Sequence, residues 1–93
     1  MPPSDPVTVD EVRAAIDEAD TLLIRALGAR FRALEFLKRI KKAEKLSIED
    51  KAREAQLKEQ WKKQAKQHKV PEHLALLMLD FILSESKRIQ ESS

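Results

Sequence analysis

Residues 9–45, VDEVRAAIDEADTLLIRALGARFRALEFLKRIKKAEK, decide the fold. Their apolar positions Val12, Ile16, Ala19, Leu23, Ala26, Leu27, Phe31, Leu34, Leu37 and Ile40 recur at steps of three and four, the period of one face of an α-helix. Thr8 stands before this run as an N-cap, with Glu11 three residues on to complete a capping box. No proline interrupts until Pro71. The pattern therefore predicts one helix from about Val9 to about Lys45. At 1.5 Å per residue it would be roughly 55 Å long. A compact domain of this size is only about 26 Å across, from a radius of gyration near 13 Å. One chain cannot cover such a helix, so the sequence predicts a homodimer, with a second copy of the chain as the cover.

Downstream, Ser47 reads as the cap of a second helix with Asp50 as its acidic third residue. That helix is expected to run to about Lys66–His68 on Ile48, Ala52, Ala55, Leu57, Trp61 and Ala65. Gln67-His68-Lys69-Val70 reads as a turn, and Pro71 suits the first position of a third helix over about 71–91. The third helix is the most apolar, carrying Leu74, Leu76, Leu77, Leu79, Phe81, Ile82 and Leu83. It is expected to lie centrally, packed on both long helices or on a partner. The lysine-rich KEQWKKQAKQHK (58–69) reads as a solvated helix face with snorkelling side chains, and Trp61 within it as a half-buried bundle residue. Residues 1–7, with three of the four prolines, read as a disordered N-terminal arm; 8–91 form one helical domain and 92–93 a tail. The fold class is all-α, three helices per chain with a very long first one.

Composition narrows the function. The chain has 93 residues, one Gly and four aromatics, which argues against sheets. It has no cysteine, so disulfides, thiolate nucleophiles and Cys-based metal sites are excluded. The start, MPPSDPVT, has neither the basic region nor the apolar run of a secretion signal, and no apolar stretch approaches the roughly 18–20 residues of a membrane span. The expected compartment is the cytoplasm, with no membrane partner. A net charge of only +2 gives little support to a nucleic-acid partner, and none is expected.

Charged and polar residues interrupt the apolar faces. An unpaired buried ion is expensive, so an inward cation calls for an anionic guest. Arg30 and Lys41, eleven residues apart, return to within roughly 20° of one another and lie about 16 Å apart along the axis. Asp50, Arg53 and Glu54 follow the i, i+3, i+4 rule and share a face. Ser86 and Gln90, i and i+4, continue the stripe of Leu79, Ile82 and Leu83. Arg13 precedes Lys41 by 28 residues, about 42 Å on one helix, so the two can serve one pocket only if Arg13 enters from a second chain. Taken singly, each has an ordinary reading: a surface cation, a helix-surface ion-pair cluster, a satisfied polar pair in the core. His68 and His73 are not at the i, i+4 spacing of a helical zinc site and no third ligand accompanies them; no metal is expected. Gly28 alone cannot make a glycine-rich phosphate loop; within a helix it costs roughly 1 kcal/mol against Ala, and fits close approach of another helix or simple drift.

Together these positions resemble the all-helical class of chorismate mutases, in particular the small dimeric bacterial mutase domain. The resemblance covers about Val9 to Gln90: VRAAIDEAD with Arg13, LLIRALGAR ending on Arg30, FLKRIKKAEK with Lys41, IEDKARE with Asp50, Arg53 and Glu54, and ILSESKRIQ with Ser86 and Gln90. It implies an intertwined homodimeric helical bundle with two equivalent pockets. It implies a cofactor-free and metal-free isomerase that converts chorismate to prephenate by a concerted [3,3] shift in phenylalanine and tyrosine biosynthesis. By resemblance, Arg30 and the partner's Arg13 bind substrate carboxylates, and Arg53 adds a cationic contact. Lys41 and Gln90 donate to the ether oxygen, and Glu54 holds the substrate hydroxyl. Asp50 accepts from that hydroxyl or a neighbouring group, and Ser86 contacts a carboxylate. The resemblance thus places Lys41, Gln90 and Arg30 at the chemistry.

Lys42, Lys45 and Lys51 depart from that pattern by adding cations around the site region. With 93 residues, no fused dehydratase, dehydrogenase or regulatory domain is expected in this chain. Two other functions compete. An isochorismate-pyruvate lyase shares the fold and acts on a close isomer; Arg53 beside Glu54, and Ser86, favour the mutase. A non-catalytic helical interaction module would leave Arg30 and Lys41 exposed and dispensable.

Overall fold

A computed structural model describes residues 5–92 of the chain. It holds α1 (Val9–Glu44), α2 (Lys51–Gln67) and α3 (Glu72–Glu91), with no strand among the described residues. The long first helix is continuous, as the unbroken period requires. The chain divides into two units, Met1–Ala33 and Leu34–Ser93.

The first unit is the start of α1. Thr8 Oγ1 accepts the Glu11 N–H at 3.1 Å, and the Thr8 carbonyl accepts the Val12 N–H at 3.0 Å, which makes Thr8 the N-cap. The return bond differs from a regular capping box: Glu11 Oε2 accepts from the N–H of Val7, at 3.0 Å, rather than from Thr8. Asp10 and Glu11 also place negative charge on the positive end of the helix dipole. Residues 5–7 are irregular and exposed; the rest of the expected arm, 1–4, lies outside the described residues. Val12 (42% exposed), Ile16 (53%) and Leu23 (47%) lie on one side of α1 and remain open to solvent.

The second unit contains the end of α1 and the α2–α3 pair. Helices α2 and α3 are joined by four residues and pack against each other as a helical hairpin. The buried face of α2 is Leu57 and Ala65, with Trp61 between them half-buried. That of α3 is Ala75, Leu79, Ile82 and Ser86, of which Leu79 is fully enclosed. Leu34 is the buried residue of α1 among those described. Helix α3 is thus covered along one stripe by α2, while Leu74, Leu77 and Phe81 stay exposed. The lysine-rich face of α2 is solvated as expected, with Lys62 and Glu59 3.4 Å apart on it.

Both α1 and α2 stop in the same way. Leu46 N–H donates to Lys41 O at 2.8 Å and Lys45 N–H to Lys42 O at 3.4 Å; Val70 N–H donates to Ala65 O at 2.8 Å and Lys69 N–H to Lys66 O at 3.4 Å. These are the paired bonds of a Schellman motif. The residue that closes each is a lysine in the left-handed region, Lys45 at φ 57° and Lys69 at φ 58°, where glycine would be at ease.

Two helix starts differ from the sequence expectation. Ser47 does not cap α2: its hydroxyl donates to Glu49 O at 3.0 Å. Asp50 caps it instead, with extended backbone (φ −135°, ψ 91°) and Oδ1 accepting the Arg53 N–H at 2.9 Å. Both residue types are good caps. The carboxylate carries a full charge to the dipole, and that favours the later start. Ile48 therefore precedes α2 rather than riding on it. Pro71 is likewise the N-cap of α3, not its first helical residue: its ψ of 130° lies outside the helix, and its carbonyl accepts the Ala75 N–H at 3.1 Å.

Candidate active site

Lys41 points from the last turn of α1 toward the loop before α2. Its ammonium donates to the Ile48 carbonyl at 3.0 Å, leaving two of its three N–H donors unused in that bond. On α3, Ser86 is buried and its hydroxyl donates to Ile82 O at 2.7 Å. One turn on, Gln90 Nε2 donates to Ser86 O at 3.2 Å. The other amide hydrogen is not required by that bond, and the amide oxygen, Oε1, is buried with no hydrogen-bond partner. Leaving such a group unpaired costs on the order of 1–3 kcal/mol, so fold stability does not account for its placement.

Lys41 and Gln90 line one cavity of about 420 Å3, with Lys38, Lys42, Lys45, Leu46 and Ile48 among the other walls. Four ammonium groups outnumber the one carboxylate on the wall, that of Glu91, and with the aliphatic Leu46 and Ile48 they suit a small anion with an apolar body. Lys38 is tethered at the rim, where its ammonium donates to Ser92 Oγ at 3.0 Å. The sequence already singled out Lys42 and Lys45 as extra cations. Lys38 was missed there, although it is one helical turn before Lys41 and so on the same side of α1.

The head of α2 carries the acidic part of the constellation. Asp50 is exposed, with one oxygen in the helix cap. Arg53 is exposed too, and its guanidinium donates to Gln56 Oε1 at 2.8 Å. Glu54 is half-buried, and its Oε1 is 2.7 Å from the ammonium of Lys87 on α3. Lys87 also lies 3.5 Å from Glu49 Oε1. This Lys87 contact has no signal in the sequence, because it joins residues 33 apart on two helices. The hydrogen bond to Glu54 and the charges of both glutamates raise the Lys87 ammonium above the usual lysine range.

In the first unit, Arg13 is exposed on the second turn of α1. Arg30 is half-buried and engaged with a neighbouring group. The second unit therefore brings Lys41 and Gln90 to one cavity and ties Gln90 to Ser86, while Asp50 and Arg53 face solvent at the head of α2.

An all-helical chain with a lysine-lined cavity and no apolar helix long enough to cross a membrane among its described residues is the class that fold and site define. The chain belongs to the chorismate mutase type II family, whose profile matches residues 12–91. No curated protein and no solved structure matches the chain significantly. Membership supports a chorismate mutase-type function, an isomerase activity, in general terms.

Proposed function

We propose that the chain is a chorismate mutase, converting chorismate to prephenate in phenylalanine and tyrosine biosynthesis in the cytoplasm. The observation that carries this reading is the shared cavity of Lys41 and Gln90, two hydrogen-bond donors with hydrogens to spare. In the rearrangement a C–O bond breaks while a C–C bond forms, and negative charge grows on the ether oxygen. Donors fixed in advance stabilise that charge more than they stabilise the ground state. Holding the enolpyruvyl arm over the ring supplies the near-attack geometry. No proton has to move, so the reaction asks for no base, nucleophile, metal or cofactor.

The remaining roles rest on family resemblance. Arg30 and Arg13 of the partner subunit bind carboxylates through their planar forks. Arg53 turns inward from Gln56 to add a cation, Glu54 accepts the ring hydroxyl, and Asp50 and Ser86 take the neighbouring polar groups. A homodimer supports this assignment physically. Val12, Ile16 and Leu23 on α1, and Leu74, Leu77 and Phe81 on α3, are apolar surface that the single chain leaves in water. The domain is residues 8–91, flanked by the arm 1–7 and the tail 92–93.

Purified chain with chorismate tests the proposal. Ultraviolet absorbance of the substrate should fall, and prephenate should be the product. Pyruvate released from isochorismate, with chorismate untouched, would assign the lyase reaction instead. Turnover of neither would leave a binding module.

A further inference from the structure

Lys87 ties α3 to the acidic residues at the head of α2. Its ammonium sits 2.7 Å from Glu54 Oε1 and 3.5 Å from Glu49 Oε1. It follows buried Ser86 directly and precedes Gln90 by three residues, so it shares a turn of α3 with both. The Glu54 side chain is only 23% exposed. Two consequences follow from charge and geometry. Glu49 and Glu54 would otherwise present two negative charges at the head of α2, and a dicarboxylate guest would be repelled by both. Lys87 offsets them. It also occupies Oε1 of Glu54, so the carboxylate is held in one orientation with Oε2 left to accept a further donor.

We propose that Lys87 is a positioning residue that sets specificity for the substrate's ring hydroxyl, by fixing Glu54 so that its second oxygen receives that hydroxyl. The role rests on the reaction proposed above. It predicts a loss confined to substrates that carry the hydroxyl. A carboxylate without its ammonium partner is free to rotate and no longer aims its second oxygen at the hydroxyl. A salt bridge that served stability alone would not discriminate between substrates.

The test compares the parent chain with Lys87→Met, Lys87→Arg, Glu54→Gln and the double variant Lys87→Met/Glu54→Gln, using chorismate and its analogue lacking the ring hydroxyl. Losing one charge-assisted contact to the hydroxyl-binding carboxylate should raise KM for chorismate about tenfold, with kcat changed by less than about threefold. Binding of the deoxy analogue should change by less than about threefold. Lys87→Arg should recover most of the loss, since a guanidinium also donates to a carboxylate. Glu54→Gln and the double variant should be alike, because Lys87 acts through Glu54. Should Lys87→Met lose helical circular dichroism, Lys87→Gln, still hydrophilic at this half-exposed position, carries the same expectations. An unchanged KM, an equal loss on the deoxy analogue, or additive losses in the double variant would overturn the role of Lys87 and leave the reaction standing. A parent chain inert toward chorismate would overturn the reaction and this role together.

Discussion

Gln90 spends one amide hydrogen on Ser86 O and leaves its oxygen buried and unpaired. A neutral amide keeps its donors at every pH, so the proposed reaction should have a broad, flat pH profile through neutrality. Gln90→Glu preserves the shape and changes the chemistry: only the protonated carboxyl can donate, and the carboxylate repels the ether oxygen. Rates for that variant, measured across pH, should be highest at the acid end and fall as pH rises through the glutamate range, about 4.3 in reference peptides. A flat profile like the parent's would show that Gln90 does not meet the reacting oxygen. Gly28 is a second residue whose replacement is informative. A Cβ built there would lie 3.4 Å from Arg32 Nη1, the far end of a flexible side chain. Gly28→Ala should therefore stabilise the chain by about 1 kcal/mol through helix propensity and a less flexible unfolded state, read as a higher midpoint in urea. Destabilisation would instead place a second helix against that position.

At the scale of the element, the two left-handed lysines that close α1 and α2 invite direct tests. Lys69→Gly should raise stability by about 0.5–1 kcal/mol, since glycine adopts φ near 58° without a Cβ clash. Thermal or urea unfolding would show the gain, and a loss would mean that the Lys69 side chain matters more than its backbone. Lys45→Gly carries the same backbone gain but also removes a cation from the Lys41–Gln90 cavity, so stability and activity should move apart. Asp50 separates two other roles. Asp50→Asn should keep the cap and cost little stability, whereas Asp50→Ala should cost about 1 kcal/mol; loss of activity in the asparagine variant at unchanged stability would expose a substrate role. Element identity was legible in the sequence because the apolar period of residues 9–45 admits one interpretation. Element starts were less so. Ser47 and Asp50 both satisfy the chemistry of a cap, and nothing local decides which backbone turns first. The capping of α1 shows the same limit, since Glu11 is positioned to reach back but its acceptor bond goes to Val7 rather than Thr8.

For the whole molecule, the proposed dimer follows from apolar surface that one chain leaves open. Sedimentation over a wide concentration range should give about twice the chain mass. Mixing an Arg13→Ala chain with a Lys41→Ala chain should restore activity from two inactive parents. In a mixed pair one pocket receives both intact residues and the other receives neither. No recovery after confirmed subunit exchange would show that Arg13 is not supplied across the interface. The gathering of Lys41, Lys42 and Lys45 at one cavity was legible because they lie within two turns at the end of one helix. The Lys87–Glu54 pair was not, because its distance depends on the register of α2 against α3, and no periodicity within one helix encodes that register. The open stripe of Val12, Ile16 and Leu23 is surface for a second chain to cover. On the shared-pocket reading, turnover belongs to pairs of chains, so mass action governs it. Well below the dissociation constant, doubling the amount of protein would raise the total rate about fourfold, and the cell's level of expression would act as a nonlinear control on flux.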